Sequence, residues 1–190
     1  VTMDAAGNTF ATSPSDTLDG GPIIPELGIL CSPRGVQSRL IPDHPNRLVP
    51  GGRPVITPAA IIGLQGNRSW GLACPGGDVI VQAMAQVIWQ MLEKIPDPQE
   101  AVEAPRIAAF NAPSAFHPHP SADRFVFAER RLGDEEIAKL RSHGHTVEIW
   151  PDFEFDAGSV QTIQSRFNST HEPLLVAGAD PRRCAYAQVK

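Results

Sequence analysis

Apolar side chains recur at Val79, Ala83, Val87 and Met91, with Ile80, Met84, Ile88 and Leu92 alongside. This spacing predicts an amphipathic helix over 79–94, and a stripe so wide predicts burial against a sheet. Two apolar runs precede it, Ala59 to Leu64 and Ser69 to Ala73, parted by the turn residues Gln65-Gly66-Asn67. They read as a β-hairpin whose second strand feeds the helix. The junction is Cys74-Pro75-Gly76-Gly77-Asp78, with Asp78 expected as the helix N-cap.

The rest of the chain is patterned more loosely. Asp4-Ala5-Ala6-Gly7-Asn8 reads as a hairpin turn, with a strand before it and Thr9 to Thr12 as the return strand. Asp97, followed by Pro98, caps a short helix running to Ala104, and Asp134 to Ser142 is a further helix that Gly144 stops. Strands are expected at Thr146 to Trp150, around Ser159 to Ile163 and at Leu174 to Ala177. The stretches Asp19 to Pro58 and Ala108 to Arg124 are rich in proline and glycine but carry spaced apolar anchors, so they read as ordered loops. Hairpins, buried helices and then more strands fit a layered α+β or α/β sandwich better than an all-β barrel.

Composition narrows the function. With 42% hydrophobic residues, 190 residues suffice for one domain with a sizeable core. The net charge is −5 and Lys and Arg form no long run, so neither nucleic acid nor an acidic membrane surface is an expected partner. No apolar stretch approaches the roughly 18 residues of a membrane span. Cys31, Cys74 and Cys184 are widely separated, which speaks against a disulfide framework and favours a reducing, cytoplasmic compartment unless a precursor carries an export signal. His117-Pro118-His119 and His143-Gly144-His145 lack an acidic or cysteine partner at ligand spacing, so no metal is expected.

The strand-to-helix junction is the candidate for chemistry. Backbone N–H groups left free at such a turn can hold a carboxylate or a developing oxyanion, and two adjacent glycines let a substrate approach the main chain. From the pentapeptide alone, an ordinary Gly-Gly turn remains the alternative.

Six segments in order carry a resemblance: Asp4 to Asn8, Gly28-Ile29-Leu30, Gly52-Arg53-Pro54 with Thr57-Pro58, Pro75-Gly76-Gly77, Glu103-Ala104-Pro105-Arg106, and Gly178 to Arg182. Together they resemble the small, C-terminal subunit of the gamma-glutamyltranspeptidase family across essentially the whole chain. The resemblance implies the four-layer αββα sandwich of N-terminal-nucleophile hydrolases, of which residues 1–190 form part as a single domain shared with a large N-terminal subunit from the same precursor. It implies amide or gamma-glutamyl chemistry on a small molecule, without metal or organic cofactor. A threonine freed by self-cleavage would serve as nucleophile, with its own amine as base.

Residue by residue, the resemblance makes Gly76 and Gly77 an oxyanion hole and Ser15 a hydroxyl bonded to the nucleophile. It places Asp16 or Thr17 against substrate. Thr57 matches the second of two carboxylate-holding serines, while Ile56 replaces the first. The family threonine lies further ahead of the first turn than Thr2 does, so Thr2 reads as a strand residue. Arg34 stands close to where the family has a glutamine, and Gln37 stands where it has the acid that grips an α-amino group. A guanidinium repels an ammonium and attracts a carboxylate, so the expected substrate shifts toward an acidic acyl group and hydrolysis over transfer. A non-catalytic homologue binding a small carboxylate is the alternative.

Overall fold

The computed structural model describes residues 1–15, 21–53, 55–167 and 173–188. Strands β1 (Thr2–Met3) and β2 (Thr9–Phe10) pair across a turn built by Asp4. Its carboxylate accepts from the Ala6 and Asn8 N–H groups at 2.9 Å and from the Asn8 side-chain amide at 2.8 Å. A second small hairpin, β3 (Ile23–Ile24) with β4 (Ile29–Leu30), lies inside the first stretch read as a loop.

The predicted central hairpin forms. Strands β5 (Ala59–Gln65) and β6 (Arg68–Cys74) pair antiparallel along their full length, from Gln65 opposite Arg68 to Ala59 opposite Cys74. The expected helix is really three pieces: a 3-10 turn (Gly77–Val79), the α-helix α1 (Ile80–Trp89) and a π-helical end (Gln90–Lys94). Helix α2 (Pro98–Glu103) begins as predicted, with the Asp97 carboxylate accepting from the Gln99 and Glu100 N–H groups.

The strands β7 (Ile107–Ala109) and β8 (Phe125–Glu129), helix α3 (Asp134–Ser142) and strand β9 (Thr146–Trp150) follow, then β10 (Gln161–Phe167) and β11 (Pro173–Ala179). The main sheet runs β11-β10-β6-β5, antiparallel throughout. Helices α1 and α2 cover one face: Ile80, Ala83, Met84, Val87 and Met91 meet Leu72, Cys74, Val160, Ala101 and Val102 in a single apolar core. This is the buried stripe that the sequence pattern called for. On the opposite face the β1–β2 hairpin leans on Gly71, while Ile62 and Leu64 of the edge strand β5 stand 51% and 80% exposed.

Two expectations need correction. Asp78 does not cap the helix; its carboxylate accepts from the Ser114 hydroxyl at 2.6 Å and the Ala115 N–H at 3.0 Å, fastening a distant loop beside the glycines. A second sheet, β7-β8-β9, was not expected from the pattern, because β7 and β8 flank the proline-rich loop. Strand β8 pairs antiparallel with β7 and parallel with β9, α3 being the crossover, so its place is set by partners distant in sequence. No helix among the described residues is long and apolar enough to cross a membrane.

Candidate active site

The chain leaves β6 through Pro75 and turns at Gly76 and Gly77, whose φ angles are +143° and +63°. Both are conformations that side chains oppose. A Cβ on Gly76 would lie 2.8 Å from Val79 Cγ2 and 3.1 Å from Gly158 Cα, and one on Gly77 would press the Phe116 ring at 3.3 Å. Among the described residues neither glycine N–H has a hydrogen-bond acceptor. Both glycines line an open pocket of about 280 Å³ with Ser13, Ser15, Arg34, Thr57, Phe116 and Arg183.

A buried ionic network braces the wall behind them. Arg106 pairs with Asp180 at 2.5 Å and donates to the Gly158 carbonyl at 2.9 Å, and it is on Gly158 that Gly76 packs. Arg182 holds Glu129 through Nε at 2.6 Å and Nη2 at 2.7 Å, and Asp180 through Nη1 at 3.1 Å. Burial opposes the Glu129 charge, yet the Arg182 guanidinium and the Arg106 and Glu154 N–H groups keep its carboxyl below the ordinary value.

Arg34 gathers the sequence candidates. It sits in a 3-10 turn (Arg34–Gln37), and its Nη1 donates to Gln37 Oε1 at 3.2 Å and Thr57 Oγ1 at 3.3 Å. Its Nη2 donates to the Ser15 carbonyl at 3.1 Å and to the Ser15 hydroxyl. Ser15, Arg34, Thr57, Gly76 and Gly77 thus share one pocket. Asp16 and Thr17 lie outside the described residues. Thr2 is exposed in β1 opposite Phe10 and does not line the pocket, and neither does the exposed Ile56.

The guanidinium of Arg34 therefore meets only neutral oxygens among the described residues. Because the Ser15 and Thr57 hydroxyls accept from it, their own protons are left to donate elsewhere. The arrangement suits an anion received by two hydroxyls with a fixed positive charge behind them. No aspartate or glutamate is among the lining residues described.

Sequence reasoning did not place Arg183 in the pocket, which it lines. Its Nε and Nη2 both donate to the Phe155 carbonyl at 3.1 Å, and its guanidinium lies 3.9 Å from the Phe155 ring centre. The available signal was Asp180-Pro181-Arg182-Arg183, two arginines beside one acid. Cys74 is a poor candidate nucleophile: burial pushes its thiol up to about 11, and its Sγ donates to the Pro75 carbonyl. All three cysteines are free. His119 Nδ1 bonds the Ser114 carbonyl and His143 Nδ1 the Lys139 carbonyl, and no cluster of three or more potential metal ligands occurs among the described residues.

A family model described as gamma-glutamyltranspeptidase matches residues 2–189. The chain belongs to the gamma-glutamyltranspeptidase family. It is 28% identical over 183 residues to a glutathione hydrolase-like YwrD proenzyme of Bacillus subtilis, covering 95% of this chain and 33% of the relative. It is 29% identical over 176 residues to an oxamate amidohydrolase proenzyme of Klebsiella pneumoniae, covering 92% and 31%. This gamma-glutamyltranspeptidase-family chain spans about a third of the length of those relatives. A solved mutant of Helicobacter pylori gamma-glutamyltranspeptidase superposes with a TM-score of 0.78 at 20% identity, covering 96% of this chain and 97% of that one, which shows the shared fold.

Proposed function

We propose that this chain is the small subunit of an amide hydrolase acting through an acyl-enzyme, with an acidic acyl group preferred. A threonine hydroxyl from outside residues 1–190 would add to the amide carbonyl carbon while its own α-amine, of pKa about 8, takes the proton. The Gly76 and Gly77 N–H groups would receive the oxyanion. The C–N bond breaks, the amine leaves with that proton, and water releases the acid and restores the hydroxyl. No metal or organic cofactor is required.

The observation that carries this reading is the lining of one pocket by two glycine amides without acceptors among the described residues and by Arg34, whose partners among those residues are neutral oxygens. In the proposal Ser15 and Thr57 receive the acyl carboxylate and Arg34 supplies the charge behind it. Arg34 repels the α-ammonium of a glutamyl substrate, so hydrolysis of acidic amides is favoured over gamma-glutamyl transfer. Asp16 or Thr17 touches the substrate in the same reading.

The pocket would be completed by a large N-terminal subunit from the same precursor, sharing one domain with residues 1–190. The exposed apolar side chains of β5 and the share of the proenzyme relatives covered here support this. Three free cysteines support a reducing, cytoplasmic setting.

The test is a substrate panel on the complete enzyme: glutamyl-anilide, glutathione, a glutaryl amide and a short dicarboxylic monoamide. The amides without an α-amino group should be hydrolysed best, and Arg34→Ala should lower their kcat/KM most, by about tenfold or more. Preferential turnover of glutamyl-anilide, indifferent to Arg34→Ala, would overturn the assignment.

A further inference from the structure

We infer that Arg68 and Arg166 form a binding site for a phosphate group at the end of the main sheet remote from the glycine turn. Both arginines line a cavity of about 340 Å³ with Asn67 and Pro96, and none of the four lines the pocket that holds Gly76 and Gly77. Arg68 opens β6 and Cys74 closes it, so the two places lie at opposite ends of a strand of 7 residues, about 20 Å apart at about 3.3 Å per residue.

Strand pairing brings the two arginines side by side. Gln164 of β10 stands opposite Trp70 of β6, and Ser165 Oγ lies 3.0 Å from the Ser69 N–H and 2.9 Å from the Ser69 hydroxyl. Continued by two residues, this antiparallel register sets Arg166 opposite Arg68, on the face that carries Gln164 and Trp70. Like charges so placed oppose the pairing unless something of the other sign lies between them. Among the described residues nothing does, for no ion pair there involves either arginine. Asp97 is the acid whose charge reaches Arg166, and its carboxylate already accepts from the Gln99 and Glu100 N–H groups at the start of α2.

The cavity is also built to donate. Arg166 keeps Nε and Nη2 buried without a partner among the described residues, a costly state that a bound acceptor relieves. Burial pushes its guanidinium down, Asp97 offsets part of this, and Arg68 adds to it; a bound anion acts in the opposite sense. Arg68 is steadied by the fully buried Gln164, whose Oε1 accepts from its Nη2 at 3.3 Å. The amide nitrogen of Gln164 donates to the Pro96 carbonyl at 2.9 Å, so an oxygen that would repel an anion is occupied. Two guanidinium forks suit the several oxygens and double charge of a phosphate better than a lone carboxylate.

The experiment uses the complete protein, with inorganic phosphate and glycerol 2-phosphate as probes and chloride at matched ionic strength as the reference. Phosphate should bind in calorimetry and raise the melting temperature above the chloride reference. It should also shield Arg68 and Arg166 from phenylglyoxal in peptide mass mapping, while exposed Arg141 stays reactive. Arg68→Gln and Arg166→Gln should each weaken binding by about tenfold or more, and Arg166→Lys should retain part of it. Tighter binding of glycerol 2-phosphate than of phosphate supports a phosphorylated small molecule as the occupant, and the reverse order supports the free ion. Stabilisation no greater than that by chloride, or phenylglyoxal modification of both arginines unaltered by phosphate, overturns the inference, and both are read on wild type whether or not the variants fold.

Discussion

Arg182 and Arg183 are neighbours in the chain and opposites in their surroundings. Arg182 is 4% exposed and meets Glu129 and Asp180, whereas Arg183 lines the pocket and meets one carbonyl and one ring. The same contrast separates Arg106, paired with Asp180, from Arg34, bonded to neutral oxygens. An arginine whose charge is already balanced by carboxylates holds the fold together. One whose partners among the described residues are carbonyls and hydroxyls has a charge that they leave unbalanced.

Breaking a buried pair from one side should be the largest effect. Arg182→Ala leaves two buried carboxylates short of a partner and should cost about 3–5 kcal/mol in denaturant unfolding of the complete protein. Arg183→Ala should stay within about 0.5 kcal/mol. Equal losses would dissolve the comparison.

The pocket side is better probed by rate. Gly76→Ala sets a methyl against Val79 and Gly158 at a φ of +143° and displaces a proposed oxyanion donor. It should lower kcat by about 10²–10³, with native circular dichroism as the check that the fold persists. An undiminished kcat would remove the glycines from the mechanism.

Acid sharpens the paired side. The Glu129 carboxyl is held below its ordinary 4.5 in the folded state, so its stabilisation is complete above that pH and drains away as pH falls through the lower folded value. Glu129→Gln should therefore be less stable at neutral pH and show a flatter decline below 4.5 than wild type in pH-dependent thermal melts. The smallest expected effect concerns thiols. Cys74, pushed up to about 11 and buried, should resist iodoacetamide at pH 8 in the folded protein, while exposed Cys184 reacts, as peptide mass mapping would show.

What the sequence disclosed followed the range of the interactions involved. The unit β5–β6–α1 was readable because its periods are local and its stripe is wide. The paired glycines announced themselves for the same reason. Asp78 misled because the rule for caps looks a few residues ahead, whereas its partners Ser114 and Ala115 lie 36 and 37 residues away. Strand β8 was hidden because a parallel partner beyond a helix creates it. Ser15, Arg34 and Thr57 were joined beforehand only through family resemblance, since 19 and 23 residues separate Arg34 from the other two. Arg183 was not told apart from Arg182 because nothing in its own neighbourhood separates the two; their difference exists only once Glu129 and Phe155 are in place.

The outward side chains of β5 bear on what becomes of the chain when it is made without company. A seven-residue border strand bearing bare Ile62 and Leu64 is an invitation to whichever chain arrives first. Produced by itself, this polypeptide should clump, and replacing Ile62 and Leu64 with polar side chains should keep it dispersed.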